Sequence, residues 1–355
     1  IRDTARSRGF GDVYKRQIEM KAIQCKELSE PDNWNTTIEF NEIEDPEFND
    51  DQVLIEIKVA SVNFPDVLMV QGKYQFQPPM PFIPGAEASG VIVGVGSNIK
   101  DFNIGDKVFV MSGNGCFAEK LAVDPARVQK IPNEMDFNVA AALAMTYGTS
   151  LYALKQRASL KEGETLLVLG AAGGVGLSAV EIGKAMGAKV IAAASSEEKV
   201  KVCLEHGADE TIVYSDSLSD RATQKQFSNK IKELTDGQGA NVIYDPVGGN
   251  YSEPAIRATA WEGRYLVIGF ATGEIPQPPL NLALLKGCQI VGVFWGAWAT
   301  IFPDQNEKNF SELFEMYSKK QINPRIEHAY DLSKAVDAIK LLATRKATGK
   351  VIIEI

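Results

Sequence analysis

Four glycines crowd residues 170–176, GAAGGVG, where the apolar run Thr165–Leu169 gives way to the helical spacing of Val175, Ala179, Ile182 and Met186. The chemistry that such a stretch can do is to hold a phosphate. Without a Cβ, Gly173 lets the backbone approach a pyrophosphate, Gly176 lets the new helix pack closely on the sheet, and the helix N-terminus offers unpaired N–H groups to phosphate oxygens. Ala172, Gly173, Gly174 and Val175 are therefore candidate phosphate-binding positions. The pattern departs from G-x-G-x-x-G in one place, Ala171 standing at the first glycine. An ordinary tight turn is the alternative, but the strand before, the helix after and a second strand at Lys189–Ala193 complete the unit that the dinucleotide fingerprint requires.

The end of that second strand bears on which dinucleotide fits. An NAD site normally ends it with an acid for the ribose 2′-hydroxyl; here the residues are Ala194, Ser195 and Ser196. No carboxylate stands there to repel a 2′-phosphate. Lys199 can pair with that phosphate and Tyr214 can donate a hydrogen bond to it, so the expected cofactor is NADPH. On the other reading, Glu197–Lys199 is a solvated helix start and Tyr214 an ordinary strand end.

These residues need a scaffold. From Met20 to about Pro132 the chain reads as short strands, among them Gln52–Ala60, Gly85–Val95 and Lys107–Val110, broken by Gly, Pro and Asn. A helix over Val139–Gln156 leads into the glycine loop. After Tyr214 come a helix near Ser228–Leu234, a strand Asn241–Asp245, a helix near Ser252–Thr259 and strands Arg264–Gly269 and Cys288–Phe294. Such alternation predicts a doubly wound parallel sheet. Beyond Phe310 follow a helix, a second over Asp331–Leu342 and a closing strand Lys350–Ile355, expected to return to the first domain. Residues 75–81 and 297–303 read as loops without a decipherable code.

Composition excludes several classes. The 355 residues suffice for two domains, and 37 basic against 46 acidic side chains make nucleic acid an unsuitable partner. Mean hydropathy is −0.11 and no run approaches a membrane span; a cytoplasmic protein is expected. Residues 1–17 contain SRGFGDVYKRQ, which resembles a translated sequencing adapter, so Met20 is taken as the native start; removing their five basic and two acidic residues leaves a net charge of −12. Cys25, Cys116, Cys203 and Cys288 are scattered, as are His206 and His328, and none forms a zinc-ligand spacing.

The motifs VNFPDVLMVQGKY, PFIPGAEASGVIVGVG, IGDKVF, AMTYGT, GAAGGVGLSAVEIGKAMGAKVIAA, YDPVGG, AWEGRYLVIGFATG and ATGKVII make Met20–Ile355 resemble the zinc-independent quinone oxidoreductase group of the medium-chain dehydrogenase/reductase superfamily. The resemblance implies an α/β fold: a Rossmann sheet, residues 147–316, inserted into a GroES-like β-rich catalytic domain, residues 20–146 and 317–355. It also implies a cleft between them and a homodimer joined through the nucleotide domains. Zinc alcohol dehydrogenases carry a His beside the motif glutamate, where this chain has Gly85, Ala86 and Glu87, and a Cys near Asn63 that is absent here. The implied reaction therefore uses no metal.

By the same resemblance, Asn63 and Asp66 lie near the nicotinamide and Thr146 beside the cofactor. Val247 and Gly248, Gly269 to Thr272 with Phe270, and Phe294 to Gly296 with Trp295 run along its length, while Lys350 reaches a phosphate. Asp66 could instead brace a turn, and Phe294 and Trp295 could belong to the core or a dimer contact. Tyr74, in Q-G-x-Y, resembles the proton-donating tyrosine of enoyl-thioester reductases, or walls the substrate pocket. The expected activity is hydride transfer from NADPH to a quinone or similar conjugated carbonyl. The alternatives are reduction of an enone or enoyl-thioester C=C bond with Tyr74 as acid, and NADPH binding without turnover.

Overall fold

The computed structural model describes residues 19–214 and 218–355; the adapter-like segment 1–17 lies outside the described residues. A two-stranded ribbon, β1 (Glu19–Cys25) and β2 (Ile38–Glu44), precedes five strands of the first large sheet: β3 (Val53–Val62), β4 (Glu87–Val95), β5 (Lys107–Met111), β6 (Lys120–Val123) and β7 (Val128–Lys130). Then come β8 (Thr165–Leu169), β9 (Lys189–Ala194), β10 (Glu210–Val213), β11 (Ala240–Asp245), β12 (Thr259–Val267) and β13 (Gln289–Gly292), and finally β14 (Ile326–Asp331) and β15 (Lys350–Glu354).

Strands β8 to β13 form one sheet in the order β10-β9-β8-β11-β12-β13, every pairing parallel. This is the 3-2-1-4-5-6 order of a dinucleotide-binding fold, whose ligand crevice opens at the C-terminal ends of the first and fourth strands, β8 and β11. Leu166, Leu167, Val168 and Leu169 are all fully buried because helices cover both faces of the sheet. Leu166 and Val168 pack into one core with Ala179 and Ile182, whereas Leu167 and Leu169 pack into another with Phe227 and Ile231.

The other sheet runs β14-β15-β3-β4-β5-β7, with β6 also on β3. Strand β3 alternates as its sequence suggests: Val53, Ile55 and Ile57 are buried while Leu54, Glu56 and Lys58 are partly exposed. The closing strand returns here, β15 pairing antiparallel with β3. The fold is thus a Rossmann sheet inserted into a GroES-like β-rich unit. Among the described residues, no helix is long and apolar enough to cross a membrane.

Several elements differ from the sequence reading. The helix expected over Ser228–Leu234 spans Arg221–Glu233, started by Asp220, whose carboxylate accepts from the Ala222 and Thr223 N–H groups. Strand β12 begins at Thr259 rather than Arg264, through an irregularity in its pairing with β11. Residues expected as loop at 297–303 belong largely to the helix Trp295–Ile301. His206 is not isolated in space: its Nδ1 lies 2.5 Å from Glu181 Oε1. The other oxygen of that carboxylate accepts from the Tyr147 hydroxyl and the Asn323 N–H, so one buried side chain holds both stretches of chain that run between the two sheets.

Candidate active site

The glycine loop turns from β8 into the helix Gly174–Ala185. Gly170 has φ +57°, and a Cβ on it would lie 2.8 Å from Val247 Cγ2 across the crevice. A Cβ on Gly176 would sit 2.4 Å from the Gly170 carbonyl oxygen and 2.7 Å from Ala171 Cα, so only glycine permits this approach of helix to strand. Gly173 differs, since a Cβ there would meet only the Gly170 oxygen, at 3.5 Å. Its open side and the lack of a side-chain cap on the helix leave the first-turn N–H groups for an anion. These residues fit a pyrophosphate. Ala172, Gly173, Gly174 and Val175 stand where the sequence placed them.

At the end of β9, the Lys199 ammonium donates to Ser195 Oγ at 3.2 Å and to the Arg345 carbonyl at 3.1 Å, leaving a third donor for a ligand. Ser196 caps the helix Glu197–Glu205. Ser195 and Lys199 are thus brought together. Tyr214, expected to join them, is instead buried against Tyr251 and Phe227, and burial raises its phenol while the Gly170 backbone N–H opposes that rise.

Across the crevice, Asp245 organises the loop after β11. Its Oδ1 accepts from the Val247 and Gly248 N–H groups at 2.7 and 2.9 Å, and its Oδ2 from Ser252 and Tyr265. Gly248, at φ +73°, lies against Phe270, and the Thr272 N–H and hydroxyl both bond the Val247 carbonyl, joining the loops that carry Val247, Gly269 and Phe270. Sequence reasoning did not single out Asp245; an acid followed by Pro and two glycines in YDPVGG was the available turn signal.

Phe294 is 65% exposed beyond β13, whereas Trp295 is 5% exposed. The Trp295 indole bonds Asn306 Oδ1 and fills the space beside Gly148, with Phe310 at its edge. Trp295 is therefore a core residue rather than a cofactor contact, because Gly148 leaves a groove its ring occupies. The Thr146 hydroxyl is buried and donates to the Ala142 carbonyl of its own helix.

The remaining polar residues form one buried cluster. Asn63 caps the helix Phe64–Val70 in a reciprocal box with Asp66, whose Oδ2 accepts the Asn63 N–H at 2.7 Å. Asn63 Nδ2 donates to Glu87 Oε1 at 2.7 Å, and Lys350 Nζ donates to that oxygen at 2.9 Å and to Asn63 Oδ1 at 2.7 Å. Glu87 Oε2 accepts the Met145 N–H. The Lys350 stem lies against Gly174 and Gly349 bonds the Ala172 carbonyl, so the cluster adjoins the glycine loop. Lys350 was expected to reach a phosphate. Its ammonium, 4% exposed, is instead committed to Glu87 and Asn63, because a buried cation requires an opposite charge.

Asp66 is fully buried and its Oδ1 has no hydrogen-bond partner among the described residues. Burial pushes this carboxyl up to about 7, against the opposing Asn63 N–H and with help from the Glu87 charge. Tyr74 is half-buried, and burial followed by the Asp66 charge raises its phenol. Among the described residues, no three His, Cys, Asp or Glu side chains gather as a metal ligand set.

Comparison with known proteins places this geometry. Residues 49–133 match the alcohol dehydrogenase GroES-like domain model and residues 174–315 the zinc-binding dehydrogenase model. A quinone oxidoreductase-like protein 2 homolog from Nematostella vectensis is 38% identical over 336 residues, 94% of this chain and 88% of its own length. The chain belongs to the quinone oxidoreductase family of medium-chain dehydrogenase/reductases. Two solved structures of similar shape are the Pseudomonas syringae pv. tomato quinone oxidoreductase, with TM-score 0.84 and 30% identity over 95% of this chain and 100% of that one, and a mycobacterial protein complexed with NADPH, with TM-score 0.86 and 26% identity over 95% and 100%. In this family member, the carboxylate of Glu87 is taken by Lys350, Asn63 and the Met145 N–H.

Proposed function

We propose that the protein is an NADPH-dependent reductase that passes hydride to a quinone or similarly conjugated carbonyl without zinc. The observation that carries the cofactor reading is the Ser195–Lys199 pair just after β9, a strand that ends in Ala194 rather than in a carboxylate. The similarity to proteins named quinone oxidoreductases supports the acceptor class. Residues 147–316 would hold the nucleotide, and residues 20–146 with 317–355 would supply the catalytic side. When bound, the dihydronicotinamide supplies a hydride. Ala172 to Val175 hold the pyrophosphate by their backbone, Ser195 and Lys199 hold the 2′-phosphate, and Val247, Gly269 and Phe270 shape the wall across the crevice. Asn63, Asp66 and Tyr74 lie toward the reducing end, Tyr74 alone of the three being partly exposed.

The test is NADPH oxidation by a simple para-quinone, run in parallel with NADH and followed by loss of near-ultraviolet absorbance. Turnover with a preference for NADPH is expected, and Lys199→Ala should raise KM for NADPH about tenfold or more while sparing NADH, as loss of a charge-assisted hydrogen bond requires. Equal KM changes for the two cofactors would defeat the phosphate assignment. Absence of turnover with retained NADPH binding would point to a nucleotide-binding role.

A homodimer is part of the same reading. Strand β13 is an open edge of the nucleotide sheet, and next to it Leu284 and Trp261 are 79% and 71% exposed, with Leu280, Leu285 and Ile290 also exposed. A second copy laid edge to edge would cover them. Sedimentation should give a dimer for the parent protein and a folded monomer for Leu284→Asp; a parent that sediments as a monomer refutes the arrangement. The four free thiols, three of them buried, suit a reducing compartment such as the cytoplasm.

A further inference from the structure

The helix Phe137–Leu151 is shared between the two large sheets. Its first half lies on the GroES-like sheet, where Ser89 Oγ donates to the Phe137 carbonyl at 2.7 Å and Ala141 packs with Val59 of β3 and Ile352 of β15. Its second half lies on the helix that follows the glycine loop: Ser178 Oγ donates to the Thr146 carbonyl at 3.0 Å and bonds Ser150 Oγ at 2.8 Å. Between the halves, two buried carboxylates hold it from opposite sides. Glu87 of β4 accepts the Met145 N–H at 2.6 Å, and Glu181 of the glycine-loop helix accepts the Tyr147 hydroxyl at 2.5 Å. A side chain that enters the backbone ladder, as Glu87 does, is one of the few causes of bending in a helix.

Glu181 has further holds. The same Oε2 that takes Tyr147 accepts the Asn323 N–H at 3.0 Å, just ahead of β14, and Oε1 meets His206 at the end of the helix Glu197–Glu205. The chain passes from β7 to β8 by way of Tyr147 and from β13 back to β14 by way of Asn323. One oxygen thus ties the outward crossing to the return. Glu181 is 4% exposed, so these bonds act in a medium of low dielectric, where they are strong.

We propose that Glu181 is a positioning residue that fixes the angle between the nucleotide sheet and the GroES-like sheet, and with it the approach of a bound nicotinamide to the acceptor. This rests on the reductase reading above, in which the phosphate-binding residues belong to the first sheet and Asn63, Asp66 and Tyr74 to the second. Glu181 touches neither cofactor nor acceptor and acts through Tyr147 and Asn323. Hydride transfer is sensitive to such an angle, since misplacement by an ångström can cost about a hundredfold in rate. The phosphate contacts at Ala172–Val175, Ser195 and Lys199 are not, because they lie on loops and helices of the nucleotide sheet alone. Rate should therefore depend on Glu181 and affinity should not.

The test compares the parent protein with three variants. Glu181→Leu fills similar space and accepts nothing; Glu181→Gln keeps an oxygen for both Tyr147 and Asn323; Tyr147→Phe frees the outward crossing alone. In the nucleotide-free proteins, amide exchange over residues 320–325 should be about tenfold faster in Glu181→Leu, as loss of a buried acceptor requires, and should return toward the parent rate in Glu181→Gln. Residues 165–169, in the middle of the nucleotide sheet, should exchange as in the parent. No change over 320–325, or an equal rise in both segments, overturns the proposal. Fluorescence titration should give all four proteins the same NADPH affinity within about twofold, while kcat with the para-quinone falls about tenfold or more in Glu181→Leu and is largely recovered in Glu181→Gln. A loss of affinity that matches the loss of rate also overturns it. If Glu181→Leu does not fold, Tyr147→Phe decides: kcat lower by about threefold or more at unchanged affinity supports the assignment, and parent kcat overturns it. Failure of the parent to turn over the quinone sinks the reductase reading instead, while the exchange comparison still decides whether Glu181 ties the two crossings.

Discussion

Lys350→Met should destabilise the protein by about 3–5 kcal/mol, the cost of removing one partner of a buried ion pair. The side chains of Lys350 and Glu87 are 4% and 0% exposed, so water cannot replace the lost ammonium. Asn63 Oδ1 loses its donor at the same time. Against total stabilities of roughly 5–15 kcal/mol, this is enough to leave a large unfolded fraction at growth temperature. Urea unfolding of the two proteins measures it, and a change below about 1 kcal/mol would mean that the pair is hydrated in solution. Adding Glu87→Gln to Lys350→Met should restore much of the loss, because the amide leaves no buried charge behind. The exposed pair Lys319–Glu315 provides the control: its removal should leave unfolding nearly unchanged.

Two alanine substitutions three residues apart should part binding from folding. In Gly176→Ala the new methyl falls 2.4 Å from a carbonyl oxygen and 2.7 Å from Cα of Ala171, both backbone atoms, so strand and helix must separate. Overpacking of this kind costs about 1–3 kcal/mol, and the melting temperature should fall with it. Gly173→Ala places its methyl in open space, at φ −75° and ψ 164°, which alanine adopts without strain. Its melting temperature should match the parent, yet NADPH affinity measured by fluorescence should drop about tenfold to a hundredfold, as displaced phosphate contacts cost about 1.4 kcal/mol per factor of ten. Equal affinity for Gly173→Ala and the parent would remove the pyrophosphate from this loop.

The contrast between those glycines also shows what a sequence can carry. The strand Thr165–Leu169, the glycine loop and the helix after it were legible because each signal is local: an apolar run, a missing Cβ, a helical spacing. Lys199 and Ser195 were legible for the same reason, four residues apart at the start of a helix. Lys350 was not, since its partner Glu87 lies 263 residues away and no local pattern announces that encounter. Trp295 reads alike whether its ring faces a ligand or a core, and only the groove at Gly148 decides. Strand β14 escaped notice because IEHAYD, at the edge of its sheet, is half exposed throughout and has no apolar run.

The position of β15 sets an order of assembly. Every strand of the nucleotide sheet lies between residues 165 and 292, while the GroES-like sheet draws an inner strand from residues 350–354. As the chain leaves the ribosome, the nucleotide sheet can close while β3 still lacks its neighbour, and at about 5–20 residues per second that gap lasts for seconds. Val62 and Ala60 of β3, which pair with Val351 and Ile353, must be shielded meanwhile by other means. Because Lys350 opens that late strand, a nascent molecule would acquire its grip on nucleotide before it acquires the charge balance around Glu87 and Asp66, and capture of the reductant would precede competence to use it.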